Sequence, residues 1–315
     1  MKLAMVFPGQ GSQSVGMMAP FAGNVAIRTT FDEASEALGQ DLWRLVEAGP
    51  SEELARTVNT QPVMLTAGVA VYRAWLAAGG QPPAMMAGHS LGEYAALVAA
   101  GALSLADAVP LVRFRAQAMQ EAVPEGAGAM AAILGLGDDD VRGACAEAAA
   151  STAQIVEAVN YNAPSQVVIA GDKAAVDLAI ELCKARGAKR GMLLPVSAPF
   201  HSSLLQPAAE RLAERLRSVA IAIPALPVVH NVDLSVSANA DQVRRALARQ
   251  AASPVLWVDT MRNFAAAGVT HVAECGPGRV LAGLVRRITP EIQAFALTDP
   301  AALLALREAA GGSTT

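Results

Sequence analysis

Gly88-His89-Ser90-Leu91-Gly92 sets a serine between two glycines, with a short apolar run before it (82–87) and helix formers after it (93–100). That is the pattern of a nucleophile elbow, in which the serine sits at a sharp strand-to-helix turn. Strand and helix crowd so closely there that flanking side chains would block the turn and bury the hydroxyl. The competing arrangement is an ordinary helix start, with Ser90 and Glu93 forming a capping box, and it needs neither glycine.

A serine nucleophile needs a base, and the chain has four histidines. His89 lies inside the elbow and should project away from Ser90, a packing or supporting position. His230 and His271 fall within apolar strand patterns, where a hydrogen-bonded core histidine is the commoner outcome. His201 follows Ala198-Pro199-Phe200 in a loop at a predicted helix start. The positive end of a helix dipole there favours a neutral imidazole able to accept a proton. His201 is therefore the candidate base, against the alternative of a polar loop histidine.

The predicted helix 104–123 carries a second clue, because Ala108, Val112, Met119 and Ala122 share one apolar face and Arg115 falls in its middle. A guanidinium on a buried face is costly unless an anion meets it, and no acid on this helix shares the stripe. Three arrangements satisfy it: a carboxylate from elsewhere in the chain, a stem that snorkels to water, or an anionic substrate clamped by the planar donor fork. Gln10, on a glycine-flanked loop after the first predicted strand, either offers a backbone N–H to an oxyanion or simply ends the strand in a turn. That loop lacks the lysine and spacing of a phosphate-binding P-loop, and Cys275-Gly276-Pro277-Gly278 reads first as a turn. Lys184, Arg186, Lys189 and Arg190 form a basic cluster that either steers an acidic partner or solvates a helix end.

Strands alternate with helices along the chain, which predicts a mostly parallel sheet covered on both faces and sites at its carboxyl edge. Strands are predicted at 2–7, 82–87, 227–232 and 269–274, and helices near 27–38, 51–57, 62–78, 104–123, 202–219, 241–251 and 257–267, with a last helix from 276. Between them the rhythm changes to strand 129–134, helix 138–150, strands 155–160 and 166–170, helix 174–187 and strand 192–196. That β-α-β-β-α-β order closes on itself as a small inserted unit. The expected organisation is a larger α/β domain, 1–125 with 198–315, holding an inserted α+β subdomain, 126–197.

Composition narrows the function classes. The 315 residues are 53% hydrophobic and only 4% aromatic, which suggests a core of Ala, Val, Leu and Met. A net charge of −4 argues against a general nucleic-acid binder. No segment offers the roughly 20 apolar residues of a membrane span. Cys145, Cys183 and Cys275 are odd in number and in no metal-ligand spacing, so a reducing compartment, the cytoplasm, is expected, with no metal. Disorder is expected only at the terminal Gly-Gly-Ser-Thr-Thr run.

Across essentially its whole length the chain resembles the malonyl-CoA:acyl carrier protein transacylases. The resemblance is carried by Phe7-Pro8-Gly9-Gln10-Gly11-Ser12-Gln13, Thr60-Gln61-Pro62, Gly88-His89-Ser90-Leu91-Gly92-Glu93, Arg115 with Met119-Gln120, Asn160-Tyr161-Asn162, Phe200-His201-Ser202, Asn231-Val232 and Gly276-Pro277-Gly278. It implies a hydrolase-like domain with a ferredoxin-like insertion, Ser90 as acyl carrier, His201 as base, and the backbone N–H groups of Gln10 and Leu91 as oxyanion hole. It further implies Arg115 as partner of the malonyl carboxylate, the Gln250 carbonyl as orienter of the histidine, and Met119, Phe200, Asn160 and Asn162 at the substrate. Malonyl-CoA and acyl carrier protein are the implied partners, with no bound cofactor and a monomeric protein. A serine hydrolase or thioesterase, a silent docking module, and a polyketide or malonate decarboxylase partner share parts of this pattern.

Overall fold

The computed structural model describes residues 1–196 and 198–311, so the boundary at 197 and the end of the terminal glycine-serine-threonine run lie outside the described residues. Its strands in chain order are β1 (Leu3–Phe7), β2 (Met85–Gly88), β3 (Gly128–Leu134), β4 (Val156–Ala163), β5 (Gln166–Asp172), β6 (Arg190–Leu193), β7 (Val228–Val229), β8 (His271–Cys275) and β9 (Gln293–Leu297). Two sheets result, a parallel one in the order β7-β2-β1-β8-β9 and a four-stranded antiparallel one in the order β4-β5-β3-β6.

β1 is fully buried along its length because both faces of its sheet are covered. Met5 and Phe7 enter the core packed by helix Thr57–Ala77, while Ala4 and Val6 enter a second core with Trp257, Met261, Phe264 and Val285. Register then sets the site: Phe7 pairs with Gly88, so the chain leaves β1 through Pro8-Gly9-Gln10 beside the elbow that leaves β2. The backbone N–H of His89 donates to the Phe7 carbonyl at 2.9 Å and locks the two exits together.

The antiparallel sheet carries helices Asp138–Thr152 and Lys173–Ala185 and has its own core, including Ile133, Val141, Val167, Ile169, Val176 and Ile180. Element sequence and strand order are those of a ferredoxin-like unit, as the resemblance implied. Its β4 is tied to the larger sheet's side of the molecule through Val255, whose carbonyl accepts from Tyr161 N at 3.1 Å and whose N–H donates to Val159 at 2.8 Å. Asn160 and Asn162 are thereby brought to the carboxyl edge of the parallel sheet.

Several expectations shift. β6 ends at Leu193 rather than 196, since Pro195 has no N–H for the ladder, and the residues after it turn over the site. β7 is two residues long because His230 and Asn231 leave the ladder to bond Glu93. Helix Leu42–Ala48, β9 and helix Pro300–Ala309 extend the fold beyond the predicted elements.

The elbow glycines are set by crowding. A Cβ on Gly88 would lie 1.8 Å from the carbonyl carbon of Gly92, and one on Gly92 would lie 1.9 Å from the Phe7 carbonyl oxygen. These neighbours are backbone and cannot swing aside. Gly101, by contrast, has a φ of 74° and open space around it. Gly92→Ala should therefore cost at least about 3 kcal/mol, against about 1–2 kcal/mol for Gly101→Ala. Urea unfolding midpoints check this, and equal costs would contradict it.

Candidate active site

Ser90 has a φ of 51°, the left-handed conformation that turns a strand abruptly into helix Gly92–Ala99. Asn231 holds this strained turn from both sides. Its Oδ1 accepts from the Ser90 N–H at 2.7 Å and its Nδ2 donates to the Gly88 carbonyl at 2.6 Å. The alternative capping box does not form: Leu91 is the helix cap residue, without a side-chain bond, and Glu93 is fully buried and bonded elsewhere.

His201 is 3% exposed and its Nε2 lies 2.7 Å from Ser90 Oγ. Its Nδ1 lies 2.9 Å from the Gln250 carbonyl oxygen. A carbonyl only accepts, so Nδ1 carries the proton and the Nε2 lone pair faces the hydroxyl. Burial, and then the Arg115 charge, push this imidazole down to about 3. Burial and the Arg115 charge are thus the leading causes of the neutral form expected from the sequence, and the 3-10 turn Ser203–Leu205 after His201 runs on into helix Gln206–Arg217.

Arg115 is 1% exposed. Its Nη1 donates to Gln61 Oε1 at 2.9 Å, and its Nη2 donates to Gln250 Oε1 at 2.9 Å and Ser90 Oγ at 3.1 Å. The guanidinium carbon lies 5.5 Å from the Tyr94 ring centroid, and Nε is buried without a partner among the described residues. Among the described residues no carboxylate pairs with it, and the snorkelling alternative fails with its burial. Burial pulls the guanidinium below its ordinary value, with Tyr94 and Glu93 opposing.

These groups meet at a cleft of about 150 Å3 lined by Gln10, His89, Ser90, Arg115, Met119, Met130, Asn160, Leu194, Val196, Phe200 and His201. Gln10, Leu194, Val196 and Phe200 also line a wider opening of about 560 Å3 that leads outward past Arg56 and Gln120. Met119 is buried and Phe200 half-buried at the junction. Asn160 turns a buried Oδ1, without a partner among the described residues, beside this space. Asn162 is one step removed, its Oδ1 lying 2.8 Å from His89 Nε2. His89, against Trp257, is the supporting residue its position predicted.

The backbone N–H groups of Gln10 and Leu91 have no hydrogen-bond partner among the described residues, as an oxyanion hole requires. The Gln10 side chain is held by Thr57 Oγ1 at 2.9 Å and Gln61 Nε2 at 3.3 Å. His230 is a bonded core histidine, with Glu93 and Ser237 at its two nitrogens, while half-exposed His271 stacks on Phe295. Lys184 and Arg186 of the basic cluster are paired with Glu181 and Glu147. Gln61, Asn231 and Glu93 are the members of this network that residue types alone did not single out.

Comparison with known proteins agrees with this geometry. A family model described as an acyl transferase domain matches residues 4–295. The malonyl CoA-acyl carrier protein transacylase of Escherichia coli K12 is 54% identical over 308 residues, 98% of this chain and 99% of that protein. The crystal structure of the acyl-carrier-protein S-malonyltransferase of Burkholderia pseudomallei superposes with a TM-score of 0.96 at 58% identity, covering 98% and 100% of the two chains. A malonyl-transacylase solved in complex with its type II polyketide acyl-carrier protein superposes equally well, TM-score 0.96 at 49% identity over 98% and 100%. A serine nucleophile elbow, a matching family model and full-length relatives of one kind converge: the chain belongs to the acyl transferase family and, within it, to the malonyl CoA-acyl carrier protein transacylases.

Proposed function

We propose that the protein transfers a malonyl group from malonyl-CoA to the phosphopantetheine thiol of an acyl carrier protein, through a malonyl-Ser90 intermediate, in fatty acid synthesis. The observation that carries this reading is a buried guanidinium beside the nucleophile, with no carboxylate paired to it among the described residues. Relatives named for the same transfer, and one solved with its carrier, support it.

His201 Nε2 takes the Ser90 proton as Oγ attacks the malonyl thioester carbon. The carbonyl oxygen becomes an oxyanion facing the Gln10 and Leu91 amides, each contributing on the order of 2.7–4 kcal/mol. Collapse breaks the C–S bond, and His201 returns the proton to the departing CoA thiolate. The carrier thiol then attacks the acyl-serine with the same histidine as base, so the kinetics are ping-pong. No step calls on a metal or a bound cofactor. The Gln250 carbonyl stands where a triad would place a carboxylate, which makes the site a dyad.

Throughout, Arg115 holds the malonyl carboxylate, and Met119 and Phe200 wall the acyl group. Asn160 offers its free Oδ1 to an amide of the pantetheine arm, and Asn162 steadies His89. The reading places the protein in the cytoplasm as a monomer. Three buried free cysteines fit a reducing compartment, and among the described residues no helix is long and apolar enough to cross a membrane.

Intact mass after mixing with malonyl-CoA should show one malonyl group on Ser90, removed by a carrier protein chase. No adduct, or release to water as fast as to carrier, would contradict the reading. Arg115→Ala should lose malonyl transfer by about 3–5 kcal/mol, roughly 150- to 5,000-fold, and acetyl transfer far less, because an acetyl group has no charge to strand. Equal losses would remove the clamp. Because His201 is held well below its ordinary 6.5, near 3, its neutral, proton-accepting form persists as pH falls. Stopped-flow acylation of Ser90 should stay level from about pH 8 down to about pH 5. A half-loss near pH 6.5 would show an ordinary imidazole.

A further inference from the structure

Glu93 is a buried carboxylate that touches neither the cleft nor Arg115, and the acyl-transfer steps do not use it. Its Oε1 lies 2.7 Å from His230 Nδ1, and its Oε2 accepts from Asn231 N at 3.0 Å and from Gln250 Nε2 at 2.9 Å. Gln250 Nε2 also donates to the Ser90 carbonyl at 2.8 Å, while its Oε1 accepts from Arg115 Nη2. The Gln250 amide therefore stands between the acid and the guanidinium and keeps them out of ion-pair contact.

That amide has one workable orientation. Turned over, its NH2 would face the donors of Arg115, and its oxygen would face two acceptors, the Glu93 carboxylate and the Ser90 carbonyl. Three bonds would become three repulsions. His230, backed by Ser237 Oγ at 2.6 Å, holds the other oxygen of Glu93 and keeps the carboxylate from swinging to Arg115. From this geometry we infer that Glu93 is a positioning residue for substrate choice: it fixes the Gln250 amide so that a neutral carbonyl, not a carboxylate, meets Arg115, which reserves the guanidinium for the acyl donor's anion. A protein carboxylate in that place would compete with the substrate directly, whereas an amide oxygen yields to it.

The inference rests on the acyl-transfer reading and deepens it. Two variants test it, read as the ratio of malonyl to acetyl label on Ser90 after brief exposure to equal malonyl-CoA and acetyl-CoA, a ratio independent of how much protein folds. In Glu93→Gln, the new carbonyl can still accept from Asn231 and Gln250 while its NH2 donates to His230 Nδ1, the imidazole proton moving to the Ser237 side. The Gln250 orientation then survives, and the ratio should stay within about threefold of the unsubstituted protein's or rise. In the double variant Glu93→Gln with Gln250→Glu, the carboxylate stands against Arg115, and the ratio should fall by at least about tenfold, whatever the total label on Ser90. A double variant that keeps its malonyl preference would overturn the relay. So would a Glu93→Gln protein that loses that preference. Absence of malonyl-Ser90 in the unsubstituted protein would remove the acyl-transfer reading itself, and the relay with it, whereas a normal control beside an unchanged double variant removes the relay alone.

Discussion

A cation sealed inside a protein with no counter-acid among the described residues is the constraint on which this site depends. Arg115 is removed from water, bonded to two amide oxygens and a hydroxyl, and left with a buried Nε unpaired. An isolated buried charge is expensive, and natural interiors neutralise such charges by pairing them. Here the compensation is partial: neutral carbonyls, the Tyr94 ring and a carboxylate one residue removed. On the proposed reading an anionic acyl donor makes good the remaining deficit, so selectivity and the cost of folding around Arg115 would share one origin. The same charge helps hold His201 neutral and able to accept a proton.

Around this charge the backbone is arranged by close approach rather than by side chains. The parallel register of β1 and β2 brings the Gln10 loop beside the elbow, and glycines at 88 and 92 let helix, strand and loop touch. Strain at Ser90, and at His201 with its φ of 69°, is carried by hydrogen bonds that they donate to Asn231 Oδ1 and the Gln250 carbonyl. Both reacting residues thus sit in conformations that their own side chains would not choose, held by partners far along the chain.

What the sequence disclosed follows from the range of the interactions. The elbow was legible because its steric demand falls on neighbouring residues, and Arg115 because helical periodicity places it on an apolar stripe without its partners being known. The alternation of buried strands with helices, and the switch of rhythm after residue 125, likewise reveal themselves locally. Gln61, Asn231 and Glu93 acquire their roles only through pairings across the fold, such as the 54 residues that separate Gln61 from Arg115. The Gln250 contribution to His201 is a backbone carbonyl, which any residue possesses, so no residue type could announce it. β7 is shorter than its apolar pattern suggests because His230 and Asn231 look like strand until the buried acid claims them, and β9, an edge strand of alternating alanines, has too weak a pattern to stand out.

The central claim is that the acyl donor's own carboxylate completes the environment of Arg115. A crystal structure of the protein soaked with malonyl-CoA in the absence of carrier tests this most directly. The account predicts a malonyl ester on Ser90 with its free carboxylate within hydrogen-bond distance of the Arg115 guanidinium and its ester oxygen toward the Gln10 and Leu91 amides. A malonyl-Ser90 whose carboxylate instead turned outward past Phe200, leaving Arg115 on Gln61 and Gln250 alone, would contradict it.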